Sequence, residues 1–479
     1  MIVLLITFPI FLAFLQLIPA VARQRNWLLP VALLLLAVAG YFVVLGHPGH
    51  TELLASTGVG IEFRLGIDPM GTIFSLMVLG LWVLATIYGL GYIEKEGQGR
   101  FFAYYTMTLG VTLGLAFSSN LVTYYLFYEL LTLTTYPLVV FSGTREARRA
   151  GRIYIFFSFI GAALALTGAF ILYRLVGTWD FVAGGIVTRE AFAAAPIAFI
   201  ASFTLLFAGF GVKGALLIFH YWLPAAMVAP TPVSALLHAV AVVKAGVFGL
   251  LRLVLYVFGP TALAAFPMEY FYLWVGATIV LGAFKAMRED VLKRRLAYST
   301  ISHLSYIVMG SLFLTAHGAK GSMFHLLAHA LAKITLFFSV GIITYETGCK
   351  KMSELAGIGR RLPWTVTAFA LASASLVGLP LTGGFISKWN LLTGGIHSAI
   401  PFLAGIFMIG SMANAFYLFP LPIRGFLKKG DFPRRQGWET TPYMLIPTVL
   451  LAFLAFFLGL ASTIPLQVVD QVVATVFPS

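Results

Sequence analysis

The sequence predicts an all-α polytopic membrane protein of about 14 transmembrane helices, with two inverted five-helix repeats and broken helices 7 and 12. Three observations lead there. Of 479 residues, 60% are hydrophobic and only 10% charged, with a mean hydropathy of +0.95, whereas a soluble domain keeps charge near a quarter of its residues. Apolar runs of the roughly 20 residues needed to cross about 30 Å of hydrocarbon follow one another along the chain. Lys and Arg then alternate from loop to loop, as retention on the cytoplasmic side requires.

The first spans, near 2–21 and 27–46, are separated by Arg23 and Arg25. Spans three to six fall near 69–93, 102–119, 121–142 and 153–175. Lys95 and Arg100 follow the third, and Arg145, Arg148, Arg149 and Arg152 the fifth. Span seven, 196–220, runs into His220-Tyr221-Trp222-Leu223-Pro224 and then Pro230-Thr231-Pro232, where missing amides and proline rings prevent an unbroken helix. Spans eight to eleven lie near 234–258, 261–286, 297–316 and 320–345. Arg288, Lys293, Arg294 and Arg295 follow the ninth, and Lys350, Lys351, Arg360 and Arg361 the eleventh. Span twelve, 363–397, is interrupted at Gly378, Pro380, Gly383 and Gly384. Spans thirteen, 400–423, and fourteen, 441–462, enclose Arg424, Lys428, Lys429, Arg434 and Arg435. The opposite loops hold only Arg64, Arg174, Arg189 and Lys320. Both termini are therefore expected outside, and the unbasic start, Met1 to Pro19, argues against a cleaved signal peptide.

The two broken helices fall five spans apart. Each is then the fourth helix of a five-helix unit, and because five is odd the second unit is inverted, an architecture that places ion sites at discontinuous helices. The chain divides into helices 1–3 (1–101), a first repeat of helices 4–8 (102–258), a second of helices 9–13 (259–426), and helix 14 with the C-terminal tail (427–479). Hydropathy and proline placement support this division; no residue-level repeat does.

Composition excludes several functions. Cys349 is the single cysteine, which allows no internal disulfide, CxxC site or cysteine-ligated iron–sulfur cluster. No cofactor or metal is expected. The net charge of +14 is explained by the loops, without nucleic acid as a partner. Gly209-Phe-Gly211-Val-Lys-Gly214 matches G-x-G-x-x-G but lies in an apolar span with no preceding strand, so it is read as helix packing and not as a dinucleotide loop.

Six cations fall within the spans: Lys213, Lys244, Arg252, Lys285, Lys333 and Lys388. A charge at mid-bilayer costs about 2.5 to 3.5 kcal/mol on the translocon scale, so these need interior, hydrated or paired surroundings. Glu129, mid-span in the fifth, and Lys213 form the strongest opposite-charge pair; a static buried bridge is the bland alternative. Their separation would set the proton affinity of Lys213, so opening and closing the pair would load and release a proton. His220, seven residues after Lys213, is expected on nearly the same helix face, about 10.5 Å further along. His238 and Lys244 lie about 120° out of alignment on span eight and need not touch. His325, His329 and Lys333 recur at i, i+4 and i+8 as one polar stripe on span eleven. His-x3-His permits a metal site, but no carboxylate or thiolate on the stripe completes it; haem would need a facing histidine. A proton relay fits better, since imidazole both accepts and donates near neutral pH. Lys388, after the second break, would end the relay, with snorkelling to the interface as the alternative.

His220-Tyr-Trp-Leu-Pro224, Ala229-Pro-Thr-Pro-Val-Ser-Ala-Leu-Leu-His238 and Val243-Lys-Ala-Gly246 together resemble the signature of the antiporter-like, proton-translocating subunits shared by respiratory complex I, Mrp-type cation/proton antiporters and membrane-bound hydrogenases. Leu296-Ala-Tyr-Ser-Thr-Ile-Ser-His303, His329-Ala-Leu-Ala-Lys333 and Gly384-Phe-Ile-Ser-Lys388 also resemble its motifs. The resemblance implies fourteen helices, inverted repeats and a hydrophilic axis. Glu129, Lys213, Lys244, Lys333 and Lys388 match its charged positions, and His238, His325 and His329 its recurrent polar ones. Where the family commonly has an acid after Trp-Leu-Pro, this chain has Ala225 and Ala226. It also stops soon after span fourteen, without the long lateral helix of one member type. The expected function is a proton-translocating subunit, without redox chemistry of its own, of a redox-driven complex or Mrp-type antiporter in a prokaryotic plasma membrane. The expected partners are other membrane subunits, including further antiporter-like ones, the lipid bilayer, and protons with sodium left open. The alternative is a stand-alone cation/proton antiporter or solute symporter.

Overall fold

The computed structural model describes residues 1–58, 61–430, 432–433 and 437–478. Arg434 and Arg435 of the last basic loop lie outside the described residues. Twenty-one α-helices and one β-hairpin account for most of the described chain. It opens with α1 (Ile2–Leu15) and α2 (Pro19–Gly46), then the antiparallel strands β1 (Thr51–Ser56) and β2 (Glu62–Gly66). Next come α3 (Pro69–Tyr92), α4 (Gln98–Ala116), α5 (Leu121–Val139) and α6 (Arg145–Val176). Short α7 (Arg189–Ala194) leads to α8 (Pro196–Lys213), α9 (Trp222–Ala225), α10 (Thr231–Ala239) and α11 (Val242–Arg252), which continues as a π-turn, Leu253–Phe258, into α12 (Gly259–Leu263). The remainder is α13 (Glu269–Arg288), α14 (Leu292–Leu312), α15 (Ala316–Thr347), α16 (Pro363–Val377), α17 (Gly383–Ile396), α18 (Phe402–Leu418), α19 (Pro420–Leu427), α20 (Pro442–Phe457) and α21 (Thr463–Val476).

Helix starts follow local chemistry. Asp68, Asn120, Thr144, Thr315 and Thr382 each accept a hydrogen bond from the amide three residues on, capping α3, α5, α6, α15 and α17. Gly177 and Gly348 end the two 32-residue helices, α6 and α15, in the left-handed conformation.

Among the described residues eight helical stretches are individually long and apolar enough to cross a bilayer. Their burial sorts them: 100% of the apolar window within Thr231–Leu263 and 94% of that within Ala316–Thr347 are buried, against 28% for Arg23–Gly46. The centre of the molecule is therefore the α10–α12 run against α15, with α3, α14, α16, α17 and α20 also packed on α15. Outer helices show the bilayer large apolar side chains such as Phe11, Leu35, Met412 and Phe416.

Several boundaries differ from the sequence reading. Arg23 and Arg25 sit inside α2, not in a loop; Arg25 is buried and donates to the side-chain and backbone oxygens of Gln16 at 2.8 and 2.9 Å. The seventh span stops at Lys213, earlier than the proline signal indicated. A further interruption, at Val240 and Ala241, divides α10 from α11; no proline or glycine marks it. The hairpin and α21 were not anticipated, because both lie outside the long apolar runs that organised the reading.

Candidate functional site

Lys213 is the last residue of α8. Beyond it Ala215 and Ile218 adopt left-handed backbone angles, φ 56° and 81°, a conformation that residues with a Cβ populate only where neighbours over-determine it. The neighbours do so. Trp222 Nε1 donates to the Val212 carbonyl at 2.8 Å, Leu217 N donates to Thr278 Oγ1 at 3.1 Å, and Trp274 Nε1 donates to the Leu217 carbonyl at 2.8 Å. Backbone freed from its helix at membrane depth is thus satisfied by indole and hydroxyl groups. The fully buried Lys213 ammonium lies 3.8 Å from Glu129 Oε1 on α5 and 3.3 Å from the centre of the Tyr128 ring, and it donates to the Tyr128 carbonyl.

The same break removes His220 from the row. The seven-residue spacing placed it on the Lys213 face, but the helix ends at Lys213, and His220 Nε2 instead meets Lys285 Nζ on α13 at 2.9 Å at a partly exposed position.

Behind the second interruption Lys244 lies in the first turn of a helix buried on all sides. Its Nζ donates to the Leu326 carbonyl at 3.0 Å and meets His329 Nδ1 at 3.1 Å. Lys244 therefore joins the eighth span to the eleventh. His238, fully buried on α10, lies with its ring centre 4.7 Å from that of Phe337. Among the described residues neither ring nitrogen of His238 has a hydrogen-bond partner.

On α15 the predicted stripe is present but splits. His325 Nε2 meets His303 Nδ1 of α14 at 3.1 Å, its Nδ1 meets Ser387 Oγ of α17 at 2.8 Å, and the His303 and His329 ring centres are 5.4 Å apart. Lys333 turns elsewhere, donating to Ser299 Oγ at 2.7 Å and the Leu296 carbonyl at 3.2 Å, both on α14.

Lys388 sits on α17 just past the second predicted break. Gly378, at φ 89°, ends α16; a Cβ there would lie 2.9 Å from Lys388 Cδ. A Cβ at Gly384 would collide with the Ser375 carbonyl. Gly384→Ala is accordingly expected to abolish accumulation of folded protein, measured as the monodisperse fraction after detergent extraction; wild-type yield would refute it. The Lys388 ammonium donates to the Val377 carbonyl at 2.9 Å and Ser411 Oγ at 2.6 Å. It is 7% exposed, so it does not snorkel.

Among the described residues Lys244, Lys333 and Lys388 have no carboxylate partner. Their neighbours are carbonyls, hydroxyls and an imidazole. Mutual repulsion in so apolar an interior makes each added proton raise the free energy of the next. The arrangement can accept, donate and pass protons over short distances. Among the described residues there is no cluster of three or more His, Cys, Asp or Glu able to hold a metal ion. Sequence reasoning missed His303, Ser299, Ser387 and Ser411 as neighbours, although His303 was visible at the end of a recognised motif. Arg252, fully buried, pairs with Asp68, the cap of α3.

Residues 118–413 match the description "NADH:quinone oxidoreductase/Mrp antiporter, TM". The chain is 30% identical over 435 residues to NADH-quinone oxidoreductase subunit N of Desulforudis audaxviator, covering 88% of this chain and 85% of that one. It is 32% identical over 432 residues to an Na(+)/H(+) antiporter subunit of Bacillus subtilis, covering 83% of this chain but only 52% of the longer relative. The fold superposes with a TM-score of 0.84 on a chain of the Mrp complex from Dietzia sp., at 28% identity, over all of this chain and 52% of that one. A chain of respiratory complex I from Thermus thermophilus has the same fold, with a TM-score of 0.83 at 22% identity over 99% of this chain and 100% of that one.

Proposed function

We propose that this chain, which belongs to the NADH:quinone oxidoreductase/Mrp antiporter transmembrane family, translocates protons as an antiporter-like subunit of a larger membrane complex. The protons would pass along Glu129 and Lys213, then Lys244, His329, His303, His325 and Ser387, with His238, Lys333 and Lys388 as further buried carriers beside that row. One observation carries the reading: Lys244, Lys333 and Lys388 lie buried against neutral hydrogen-bonding groups, an arrangement whose cost makes sense if their protons come and go. A static scaffold would be served as well by leucine.

The complex would be of complex I, membrane-bound hydrogenase or Mrp type, in a prokaryotic plasma membrane. In the first two, partners supply the redox energy and this chain only moves ions. Fourteen spans, with α4–α11 and α13–α18 as inverted repeats and both termini outside, complete the proposal. The interruptions after Lys213 and before Lys388 support it, because each sets a lysine beside backbone released from helical bonding.

Affinity purification of the tagged full chain from its native membrane is expected to recover several further membrane subunits. Liposomes containing the chain alone are expected to show no coupled ion flux. Robust coupled flux by the isolated chain would establish a self-sufficient antiporter instead.

A further inference from the structure

We propose that the hollow between α6 and the start of α14, on the face that carries the basic loops, holds the phosphate headgroup of an anionic phospholipid. The cavity has a volume of about 520 Å³, and its walls include Arg149 of α6, Lys293 and Arg294 of α14, and Lys350 just beyond α15. Among the described residues that line it Glu146 is the only acid. Ala225 of α9 forms part of the same wall. It is one of the two alanines that stand where the family commonly has an acid, so no carboxylate from that motif opposes an anion here.

The cations around the hollow are mostly unpaired. Among the described residues Arg149 and Lys350 enter no ion pair, and the Lys293 ammonium has only the Ala229 carbonyl, at 2.9 Å. Arg294 is paired with Glu289, at 3.0 Å. Cations kept on one side of a membrane for topology can stand anywhere along their loops. These come from the loops after the fifth, ninth and eleventh spans, and they converge. An anion with several acceptor oxygens satisfies such a convergence, and the headgroup layer supplies phosphate at that depth. A second cavity, of about 400 Å³, shares Arg149, Ile153 and Tyr221 with the first and adds Arg152, Phe156 and Phe157. Phe156 lies seven residues after Arg149 on α6, about 10.5 Å further into the membrane, and it is exposed, as is Phe159. The basic hollow therefore opens onto an apolar strip facing the bilayer, which suits a headgroup with acyl chains and gives free phosphate nothing. A lipid seated there ties α6 to α14 and to the chain after α15, around the Tyr221–Val228 stretch of the broken span.

Binding is expected whether or not the chain moves protons. The full-length chain, purified in a neutral detergent and stripped of lipid, is titrated with phosphatidylglycerol, phosphatidylcholine or inorganic phosphate, and bound molecules are counted by native mass spectrometry. Phosphatidylglycerol is expected to bind saturably, about tenfold or more tighter than phosphatidylcholine, and to resist displacement by millimolar inorganic phosphate. Arg149→Gln combined with Lys350→Gln removes two exposed, unpaired charges and should weaken that binding about 25-fold, at about fivefold for each cation. Ala225→Asp sets a carboxylate on the wall and should weaken it too. Lys428→Gln combined with Lys429→Gln takes the same charge from the same face, outside the hollow, and should leave it unchanged. Equal losses in the two double variants would reduce the effect to general surface charge and overturn the proposal. So would equally tight binding of phosphatidylcholine, the absence of saturable binding, or displacement of the lipid by millimolar inorganic phosphate, which would make the hollow a site for free anions.

Discussion

Lys213→Arg is expected to transport protons about 100-fold more slowly than the wild type, as slowly as Lys213→Ala, although arginine keeps the positive charge beside Glu129. Lys213 ends α8 with its ammonium 3.8 Å from Glu129 and under the Tyr128 ring. If that pair merely pinned α5 to α8, a guanidinium would serve, and its planar fork would hold the carboxylate at least as well. A proton carrier must also be able to lose its charge, which arginine does not do in proteins. Glu129→Gln tests the other half, removing the charge while keeping the side chain's shape, and should fall to a similar rate. The measurement is quenching of a pH-sensitive dye in vesicles holding the assembled complex, normalised to the amount of this chain present. Normal transport by Lys213→Arg would make the pair a fastener and nothing more.

Asp68→Asn is expected to destabilise the protein by about 3 kcal/mol, whereas Arg252→Met should be much milder. The asymmetry follows from burial. Arg252 is 1% exposed, and its guanidinium carbon lies 4.7 to 5.1 Å from the ring centres of Phe181, Phe248 and Tyr256. Asp68 is 30% exposed, so losing its partner leaves a carboxylate that water still reaches. Asparagine caps α3 as well as aspartate does, so the penalty measures the stranded guanidinium and not the cap. Thermal denaturation in detergent of the two single variants and the double variant closes the cycle. The double variant should resemble Arg252→Met; if Asp68→Asn matches the wild type, the ion pair contributes nothing.

What the sequence makes legible depends on distance along the chain. The stripe His325, His329, Lys333 lies within about two turns of one helix, so periodicity alone places it, and α15 is unbroken through it. The proline and glycine clusters likewise mark the neighbourhoods of both interruptions. His220 was misplaced because extrapolating a helix assumes that it continues, and α8 ends at Lys213 with Gly214 and two left-handed residues beyond. Contacts between helices were illegible. Nothing local indicates that Lys244 meets a histidine 85 positions on, that Lys333 prefers Ser299 to the histidines beside it, or that Arg252 finds Asp68 across 184 positions. Those pairings are decided by which faces α11, α14 and α15 turn towards each other and by where the start of α3 meets α11.

Leu217 is held from both sides by α13, its amide on Thr278 and its carbonyl on Trp274. Four residues earlier stands Lys213. Between them Gly214, Ala215 and Leu216 donate back to the Phe210, Val212 and Gly211 carbonyls, so the turn that α13 grips at Leu217 is itself bonded to the last turn of α8. The 3.8 Å spacing of Lys213 from Glu129 thus depends in part on where a helix carrying neither residue holds the end of the break.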